Sequence, residues 1–427
     1  MMNREKVLDS IPIDLITEIH SRLPAKSVAR FRCVSKLWCS MLRRPYFIDL
    51  FLTRSWARPR ILFILQRGDE WSFFSSPQPQ NPYDNSFVVA DFHMKFFQHP
   101  GSASLAVTSG LVYFPSLQIS KKIEDEAPVV CNPRTGQYMI LPKLLRDKWS
   151  YSFLGYDPID NQHKVLFMAS PYSTDDHKIL TLGTRNMCWR KLECSLTHDI
   201  WSREICINGV LYYLASPFDE KAETSPYVIV CFDVRSEKFK FIDIERFYIW
   251  SMLINYKGKL GGISWENVGN ILELRIWILE DVNKHEWSKY VYTLGEDAVL
   301  NRLDHFIVGV TPNGEIVFSM RKTSKPFYVY YFNPEMNTLR KVKIQALDGD
   351  TSVYAFVNFV EDLNVNDSKQ LKSSLANRGL NIIRRRPQPQ QRRHTSSRDL
   401  SNSASSVKNK QPTTLSQNKY DLLANLE

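Results

Sequence analysis

A repeat of about 50 residues constrains the fold of this chain more than any other feature of its sequence. The repeating unit is an apolar strand, a polar turn and then a large apolar or aromatic residue. Successive turns begin 51, 50, 48 and 52 residues apart, at Asn132, Gly183, Asp233, Asp281 and Asn333. The large residues follow six positions later and are Tyr138, Trp189, Phe239, Trp287 and Leu339. A period of this length predicts one supersecondary unit per repeat, each stacked on its neighbours.

Two further markers keep the same period. A turn followed by a strand begins upstream of each unit, at Gly110, Gln162, Gly209, Gly258 and Gly314. The dipeptide Trp-Ser recurs at positions 149, 201 and 250. Short apolar and β-branched runs between Gly, Asn, Asp and Pro clusters are typical of strands. Together these markers predict a kelch-type β-propeller in which each repeat is a four-stranded blade.

Five repeats are explicit, and the two ends of the β region supply the parts of another. Residues 61–74 have the pattern of a hairpin, and residues 353–360 that of a lone strand. Pairing the lone strand with the hairpin would close the ring and remove its free edges. We therefore predict about six blades, although the markers leave five or seven open.

Residues 11–52 have a different, helical pattern. The apolar residues of a first helix recur at close to 3.6-residue spacing: Leu15, Ile16, Ile19 and Leu23. Pro24 ends that helix, a second short helix follows near residues 26–31, and Ser35 is the predicted N-cap of a third. After Pro45 we expect only a last helical turn or two. About forty residues bury too little surface for a self-sufficient core, so this unit needs a partner or a docked neighbour.

Residues 11–38 resemble the F-box. They contain Ile-Pro, then Asp-Leu and an apolar helix, then Leu-Pro, a short helix, Cys-Val-Ser-Lys and Trp, with Ile11 where the family has leucine. The resemblance implies binding to the Skp-family adaptor, which links an F-box to a cullin–RING ubiquitin ligase. The implied adaptor contacts are Ile11, Pro12, Leu15, Ile16, Ile19, Leu23, Pro24, Val28, Val34 and Trp38. The alternative is that these residues pack only against the β domain.

The continuation, which begins Ser55-Trp-Ala-Arg-Pro-Arg-Ile-Leu-Phe, resembles the plant F-box-associated domain (type 3). This second resemblance implies that the β domain recognises a target protein. We predict an α+β multidomain chain with a three-helix F-box over 5–52, an all-β propeller over 58–362 and a disordered basic tail over 363–427. The implied function is that of the substrate-recognition subunit of an SCF-type (Skp–cullin–F-box) ubiquitin ligase, which is not itself an enzyme.

The predicted target site lies on one face of the propeller. With blade strands lettered A to D, the A–B and C–D turns are mostly short, whereas B–C and D–A connections such as 116–128 and 217–226 are long. In an antiparallel blade the B–C and D–A connections emerge on the same face. Binding residues commonly lie on loops that a rigid scaffold positions. Trp149, Trp201 and Trp250 lie near that face. They either grip a partner or wedge between blades, and their repetition favours the wedge.

The net charge of +10 belongs mainly to the end of the chain. Residues 364–427 hold twelve Lys or Arg and four Asp or Glu, and polar residues dominate there. This composition buries too little apolar surface to offset chain entropy, so we predict disorder. The arginines at 384–386 and 392–393 are either a nuclear-import signal or part of a solvated tail, and nucleic-acid binding is disfavoured. The expected location is the nucleus, the cytoplasm or both.

Other classes of protein lack support in the sequence. The N-terminus has no signal-peptide core, and the apolar runs are too short to span a bilayer. The seven cysteines include no Cys-x-x-Cys pair, so we expect reduced thiols, no metal site and no cofactor. No Gly-x-Ser-x-Gly, His-Glu-x-x-His or phosphate loop indicates an enzyme. A non-catalytic scaffold and a propeller enzyme without a ubiquitin role remain the alternatives.

Overall fold

The computed structural model of the chain covers the helical segment and most of the β region. The residues that it describes are 12–79, 87–97, 105–118, 126–144, 150–173, 175–184, 186–218, 227–244, 252–268, 271–281, 284–294, 300–301, 303–323, 326–347, 349–361 and 363. The predictions for Ile11, Trp149, Trp250 and the basic tail lie outside these residues.

The described chain begins with four short helices. They are α1 (Ile13–Ser21), α2 (Ala25–Phe31), α3 (Lys36–Met41) and α4 (Pro45–Trp56). The Ser35 hydroxyl accepts a hydrogen bond from the backbone N–H of Trp38 over 3.1 Å and caps α3, as predicted. Helix α4 is longer than expected because Pro45 occupies its first turn, where a fixed φ and a missing N–H favour a helix start. The helix then continues because Phe47 and Phe51, one turn apart, are both buried.

The described residues that follow form six sheets, which are the six blades of a propeller. Blade 1 contains β26 (Ser352–Phe359), β1 (Arg60–Arg67), β2 (Glu70–Pro77) and β4 (Asp91–Phe97). Blade 2 contains β5 (Ala106–Thr108), β6 (Leu111–Gln118), β7 (Glu126–Asn132) and β8 (Gln137–Ile140). Blade 3 contains β9 (Tyr151–Asp157), β10 (Gln162–Met168), β11 (Lys178–Thr181) and β12 (Arg190–Lys191).

The other three blades follow the same order from the inside outward. Blade 4 contains β13 (His198–Ile200) and β14 (Ile205–Ile207), which both pair with β15 (Val210–Pro217), then β16 (Tyr227–Asp233) and β17 (Lys238–Ile244). Blade 5 contains β18 (Met252–Tyr256), β19 (Lys259–Val268), β20 (Ile271–Asp281) and β21 (Glu286–Leu294). Blade 6 contains β22 (His305–Val310), β23 (Ile316–Met320), β24 (Tyr328–Asn333), β25 (Thr338–Gln345) and β3 (Val88–Val89). The predicted number of six blades is confirmed.

Strand β26 closes the ring, as the lone strand at the end of the β region predicts. Its residues pair antiparallel with β1, with Phe359 opposite Arg60 and Ser352 opposite Gln66. Val353 lies in the core shared with blade 6, and Phe359 lies in the core shared with blade 2. The last strand therefore joins blade 1 to both of its neighbours.

Within the described residues, the β core consists of six clusters, each between two neighbouring blades. Alternation along β1 shows why: Phe63 faces blade 6, whereas Leu62 and Ile64 face blade 2. The repeated residue after each turn lies in the cluster shared with the preceding blade: Tyr138, Trp189, Phe239, Trp287 and Leu339. The period of about 50 residues is therefore the period of blade-to-blade packing.

The turn residues repeat for a local reason. The side-chain oxygen of Asn132 accepts the backbone N–H of Arg134 over 2.9 Å, and that of Asp233 accepts the N–H of Ser236 over 2.6 Å. Asn and Asp favour such turns because their short side chains replace a backbone acceptor. The A–B turns instead require positive φ, which Gly209 supplies at 85°.

Antiparallel pairing divides the connections between two faces. The turn face carries the A–B and C–D connections, such as 109–110 and 133–136, and the opposite loop face carries the B–C and D–A connections, such as 141–150. In blades 2, 4 and 6 the longer connections lie on the loop face, as predicted. Blades 1, 3 and 5 depart from this rule. In blades 1 and 3 the strands joined on the turn face are far apart in sequence, from Pro77 to Asp91 and from Thr181 to Arg190, and in blade 5 the strands joined on the loop face are close, from Val268 to Ile271.

The helices join the propeller on its turn face. Strand β1 is the second strand of its blade, so its first residue, Arg60, lies where A–B turns lie in other blades. The linker between α4 and β1 folds back on α1, because the Arg58 guanidinium donates to the carbonyl oxygens of Arg22 (2.7 Å) and Ser21 (3.3 Å). The helical unit and the loop face therefore lie on opposite sides of the ring.

Candidate functional site: apolar side chains exposed on the helices

Helix α1 presents large apolar side chains to solvent. Leu15 is 54% exposed and Ile19 is 55% exposed, and their i, i+4 spacing places them on one face of the helix. Thr17 and His20 on the other side are buried. The outer face of a helix on a globular protein is normally polar, so this apolar face needs an explanation.

The remaining helices continue this exposure. Val34 lies between α2 and α3, Leu37 lies on α3 and Tyr46 lies on α4, and each is more than half exposed. The described helices and the turns between them expose seven large apolar residues; one of them, Trp56, lies at the end of α4 beside the propeller. The other six we call the exposed apolar set: Ile13, Leu15, Ile19, Val34, Leu37 and Tyr46. Exposed apolar groups concentrated on a small unit usually mark an interaction surface.

Trp38 holds three of the helices together. Its ring lies edge-on to the ring of His20 at 4.8 Å and lies 5.1 Å from the ring of Phe31, measured between centroids. The His20 Nδ1 donates to the carbonyl oxygen of Ile16 over 2.6 Å, which fixes the imidazole against α1. The Trp38 side chain is half-buried, so it both packs inward and keeps an accessible edge.

Nine of the ten predicted contact residues are described. Five of them are exposed: Pro12, Leu15, Ile19, Pro24 and Val34. Three are half-buried: Ile16, Leu23 and Trp38. Val28 is 0% exposed and lies inside the helical core with Met41 and Phe47, so its side chain has no surface to offer a partner. We therefore remove Val28 from the predicted contact surface.

Three members of the exposed apolar set were not among the predicted residues: Ile13, Leu37 and Tyr46. Leu37 lies on α3 between Lys36 and Trp38, at a position that the F-box pattern leaves open, so the pattern did not mark it. Tyr46 was missed because it lies on α4, where we expected only a turn or two of helix. Ile13 lies three residues before Ile16 on α1, so helical spacing would also have found it.

A cavity of about 210 Å³ lies where α4 meets the propeller. Trp56 and Pro59 line it from the helical side, and Pro79, Pro312 and Glu315 line it from the β side. The Glu315 carboxylate is buried and paired with Arg340 at 3.1 Å, so it is committed to the fold.

The loop face carries an aromatic pair of which one member is exposed and the other half-buried. Tyr172 follows β10, and its ring lies edge-on to that of Phe218 after β15, with 5.0 Å between centroids. The pair links the B–C connections of blades 3 and 4, and Tyr172 is 71% exposed. Among the described residues, its position and exposure make it the best-placed aromatic group on this face for contact with another protein.

Trp201 is the predicted rim tryptophan that the structure describes. Its indole N–H donates to the Ser216 hydroxyl over 2.8 Å, and its ring lies edge-on to that of Tyr227. The side chain is half-buried and packs against the core between blades 4 and 5. These contacts favour the wedge interpretation over a rim that grips a partner.

Two buried histidines lie in the body of blades 3 and 4. Desolvation lowers the pKa of His163, on β10, to about 4. Desolvation likewise lowers the pKa of His198, on β13, to about 4, although its Nδ1 donates to the carbonyl oxygen of Leu196. The His198 Nε2 accepts from the Tyr213 hydroxyl over 3.0 Å, a bond that requires the neutral ring.

Among the described residues, no group of three or more His, Cys, Asp or Glu side chains is arranged to hold a metal ion. None of the four helices is long and apolar enough to cross a membrane, as far as the described chain shows.

Comparison with known proteins matches both parts of the molecule. A family model described as "F-box domain" matches residues 8–50, and one described as "F-box associated beta propeller domain" matches residues 60–363. The chain belongs to the F-box proteins with an F-box-associated β-propeller domain. The resemblance predicted from the sequence is thereby confirmed, and α1 to α4 make up the F-box region. An F-box implies binding to a Skp-family adaptor.

Relatives from Arabidopsis thaliana match over most of this F-box protein's length. F-box protein At3g57590 is 50% identical over 390 residues, which cover 86% of this chain and 95% of the relative. F-box protein At2g15640 is 48% identical over 414 residues, covering 85% and 96%. F-box protein At2g16450 is 46% identical over 414 residues, with the same two coverages.

Proposed function

We propose that this protein is the substrate-recognition subunit of an SCF-type ubiquitin ligase and has no catalytic activity of its own. The F-box would bind the Skp-family adaptor and, through it, the cullin, while the loop face would bind the target protein. The exposed apolar set carries the proposal, because six large apolar side chains on one small helical unit suit a protein partner.

The arrangement of the two faces supports this division of labour. The helices adjoin the turn face, whereas the exposed Tyr172 and its half-buried partner Phe218 lie on the loop face. A target held on the loop face would therefore meet no obstruction from the adaptor. The two binding events would use separate surfaces and could occur together.

The adaptor half is tested by the affinity of the full chain for a Skp-family adaptor. We expect Ile19→Asp to weaken binding at least about 30-fold, because a charge would enter an apolar contact. The matched control is Ile159→Asp, since Ile159 is 70% exposed in the A–B turn of blade 3 and lies outside the helical segment. Failure of the unmodified chain to bind the adaptor, or equal binding by both variants, would contradict the proposed adaptor binding.

The target half is tested by proximity labelling in cells with and without proteasome inhibition. We expect some labelled proteins to accumulate under inhibition and to be lost with Tyr172→Ala, while Ile159→Ala leaves them unchanged. A scaffold without a ubiquitin role would label partners whose abundance does not respond to inhibition. Ubiquitin transfer reconstituted with the adaptor, cullin and a labelled partner then separates the ligase subunit from the scaffold.

A further inference from the structure

The core of the F-box contains a residue from the far end of the propeller. Leu363 is 0% exposed and lies in the same cluster as the buried residues of α2, α3 and α4. Its neighbours in that cluster are Ala25, Val28, Met41, Leu42, Phe47 and Phe51. The F-box helices therefore do not complete their own interior. A unit this small has little apolar surface to spare, so one missing core side chain matters.

The same C-terminal segment caps helix α2. The N-cap of α2 is Pro24, which has no side chain able to accept a hydrogen bond. Glu361 fills this role from 336 residues away, because its Oε2 accepts the backbone N–H of Ala25 over 2.6 Å. A carboxylate at this position also complements the positive end of the helix dipole.

The other carboxylate oxygen of Glu361 contacts the propeller. Its Oε1 pairs with the guanidinium of Arg134, in the C–D turn of blade 2, and both side chains are less than a tenth exposed. A buried carboxylate of this kind is costly unless both of its oxygens find partners. The Glu361 carboxylate therefore connects α2 to blade 2.

Ring closure determines where Glu361 and Leu363 can be. Phe359 is the last residue of β26 and pairs with Arg60, the first residue of β1. Glu361 follows two residues later, a reach of only about 7 Å in an extended chain. Both residues can thus meet the F-box when β26 is paired, and they are withdrawn when it is not.

Other contacts between the helices and the linker do not depend on closure. Arg54 pairs with Glu18 at 2.7 Å, and Arg58 donates to the carbonyl oxygen of Arg22, all within the N-terminal segment. These contacts would keep the helices near β1 even with the ring open. They leave the core without Leu363 and α2 without its cap.

We propose that the F-box reaches its adaptor-binding geometry only when the propeller ring is closed, with Glu361 and Leu363 as the positioning residues that couple the two. The inference rests on the proposed adaptor binding. Neither residue belongs to the exposed apolar set, so both act through the helices that carry it. The adaptor would in this way select chains whose target-binding domain is completely folded.

Two substitutions in the full chain test the coupling. We expect Leu363→Ala and Glu361→Gln each to weaken adaptor binding by about tenfold or more, because the fraction of chains with a competent F-box falls. Hydrogen exchange should rise over α1 to α3 and stay unchanged in blades 3 to 5. The matched controls are Leu303→Ala, since Leu303 is 83% exposed, and Glu335→Gln, since Glu335 pairs with Lys257 at the surface.

The outcomes separate the inference from the proposed function. If the unmodified chain binds the adaptor and both core variants match the controls, the inference is overturned and the proposed function stands. If the unmodified chain does not bind, the proposed function fails.

A measurement on the unmodified chain covers the case in which a variant does not fold. Every opening of β26 should also open α2, so the Val28 amide should be no better protected from exchange than the amides of β26. Stronger protection of Val28 would overturn the coupling.

Discussion

Arg60 at the start of β1 lies directly opposite Phe359 at the end of β26, so a single strand from the far end of the chain closes the ring. Ala355, in the middle of that strand, is 5% exposed in the core between blades 1 and 6. We expect Ala355→Asp to lower the free energy of unfolding by about 3 kcal/mol or more, because a charge would be buried without a partner. Urea unfolding followed by circular dichroism measures the change.

Ser352→Asp is the control for this substitution, because Ser352 lies on the same strand and is exposed. Its expected effect is within about 0.5 kcal/mol. Equal effects of the two substitutions would mean that closure by β26 contributes little to the stability of the ring.

Val28 and Leu37 should respond in opposite ways to truncation. Val28 is 0% exposed, so Val28→Ala should lower the free energy of unfolding by about 1–3 kcal/mol. Leu37 is 63% exposed, so Leu37→Ala should leave stability within about 0.5 kcal/mol. Leu37→Ala should nevertheless weaken adaptor binding by about tenfold if it lies in the contact. Unfolding curves and adaptor titrations on both variants test these expectations. A stable Leu37→Ala chain that binds the adaptor with full affinity would exclude Leu37 from the adaptor-contact surface.

Acid should destabilise the propeller through its buried histidines. Desolvation lowers the folded-state pKa of His163 and His198 from 6.5 to about 4, so between these values the unfolded chain binds more protons. The two neutral histidines therefore make their full contribution to the free energy of unfolding above about pH 6.5, and this contribution is lost as the pH falls towards 4. His163→Phe should flatten the fall in stability across this window, as measured by urea unfolding at several pH values. His285→Asn is the control, because His285 is exposed; the same slope in all three proteins would contradict the assignment.

Trp201 should behave as a packing residue. Trp201→Phe loses the hydrogen bond to Ser216 and should lower the free energy of unfolding by about 1 kcal/mol. Trp201→Ala also loses ring contacts with the core between blades 4 and 5 and should lower it by about 3 kcal/mol. Thermal unfolding measures both. Unchanged stability together with loss of labelled partners would instead assign Trp201 to target binding.

The sequence predicted those features of the fold that repeat. Asn132 and Asp233 begin equivalent turns because each accepts a backbone N–H, and Tyr138 and Phe239 lie at equivalent packing positions between blades. A residue that serves the same physical purpose in every blade leaves a period in the sequence. The closing strand was also predictable, because a lone strand at the end of the repeats needs a partner, which the hairpin at their start can supply.

Features that occur once were not predictable in this way. Nothing in the sequence connects Glu361 with Ala25, because their contact is set by ring closure and not by local spacing. The parallel pairing of Val88 with Ile344, which covers the outer edge of blade 6, likewise has no counterpart among the described residues of the other blades. Val28 was predicted as a contact residue but is buried, because a sequence motif marks an apolar position without showing whether its side chain faces a partner or the interior.

The position of β26 in the chain sets an order of events during protein synthesis. The ribosome makes the F-box and β1 first and makes β26 nearly last. At roughly 5–20 residues per second, translation separates them by on the order of tens of seconds. Throughout that interval the nascent F-box lacks Leu363 and its α2 lacks a cap. Under the proposed coupling, a chain whose translation stops early would therefore be released with an incomplete F-box and would not occupy adaptor molecules that intact chains require.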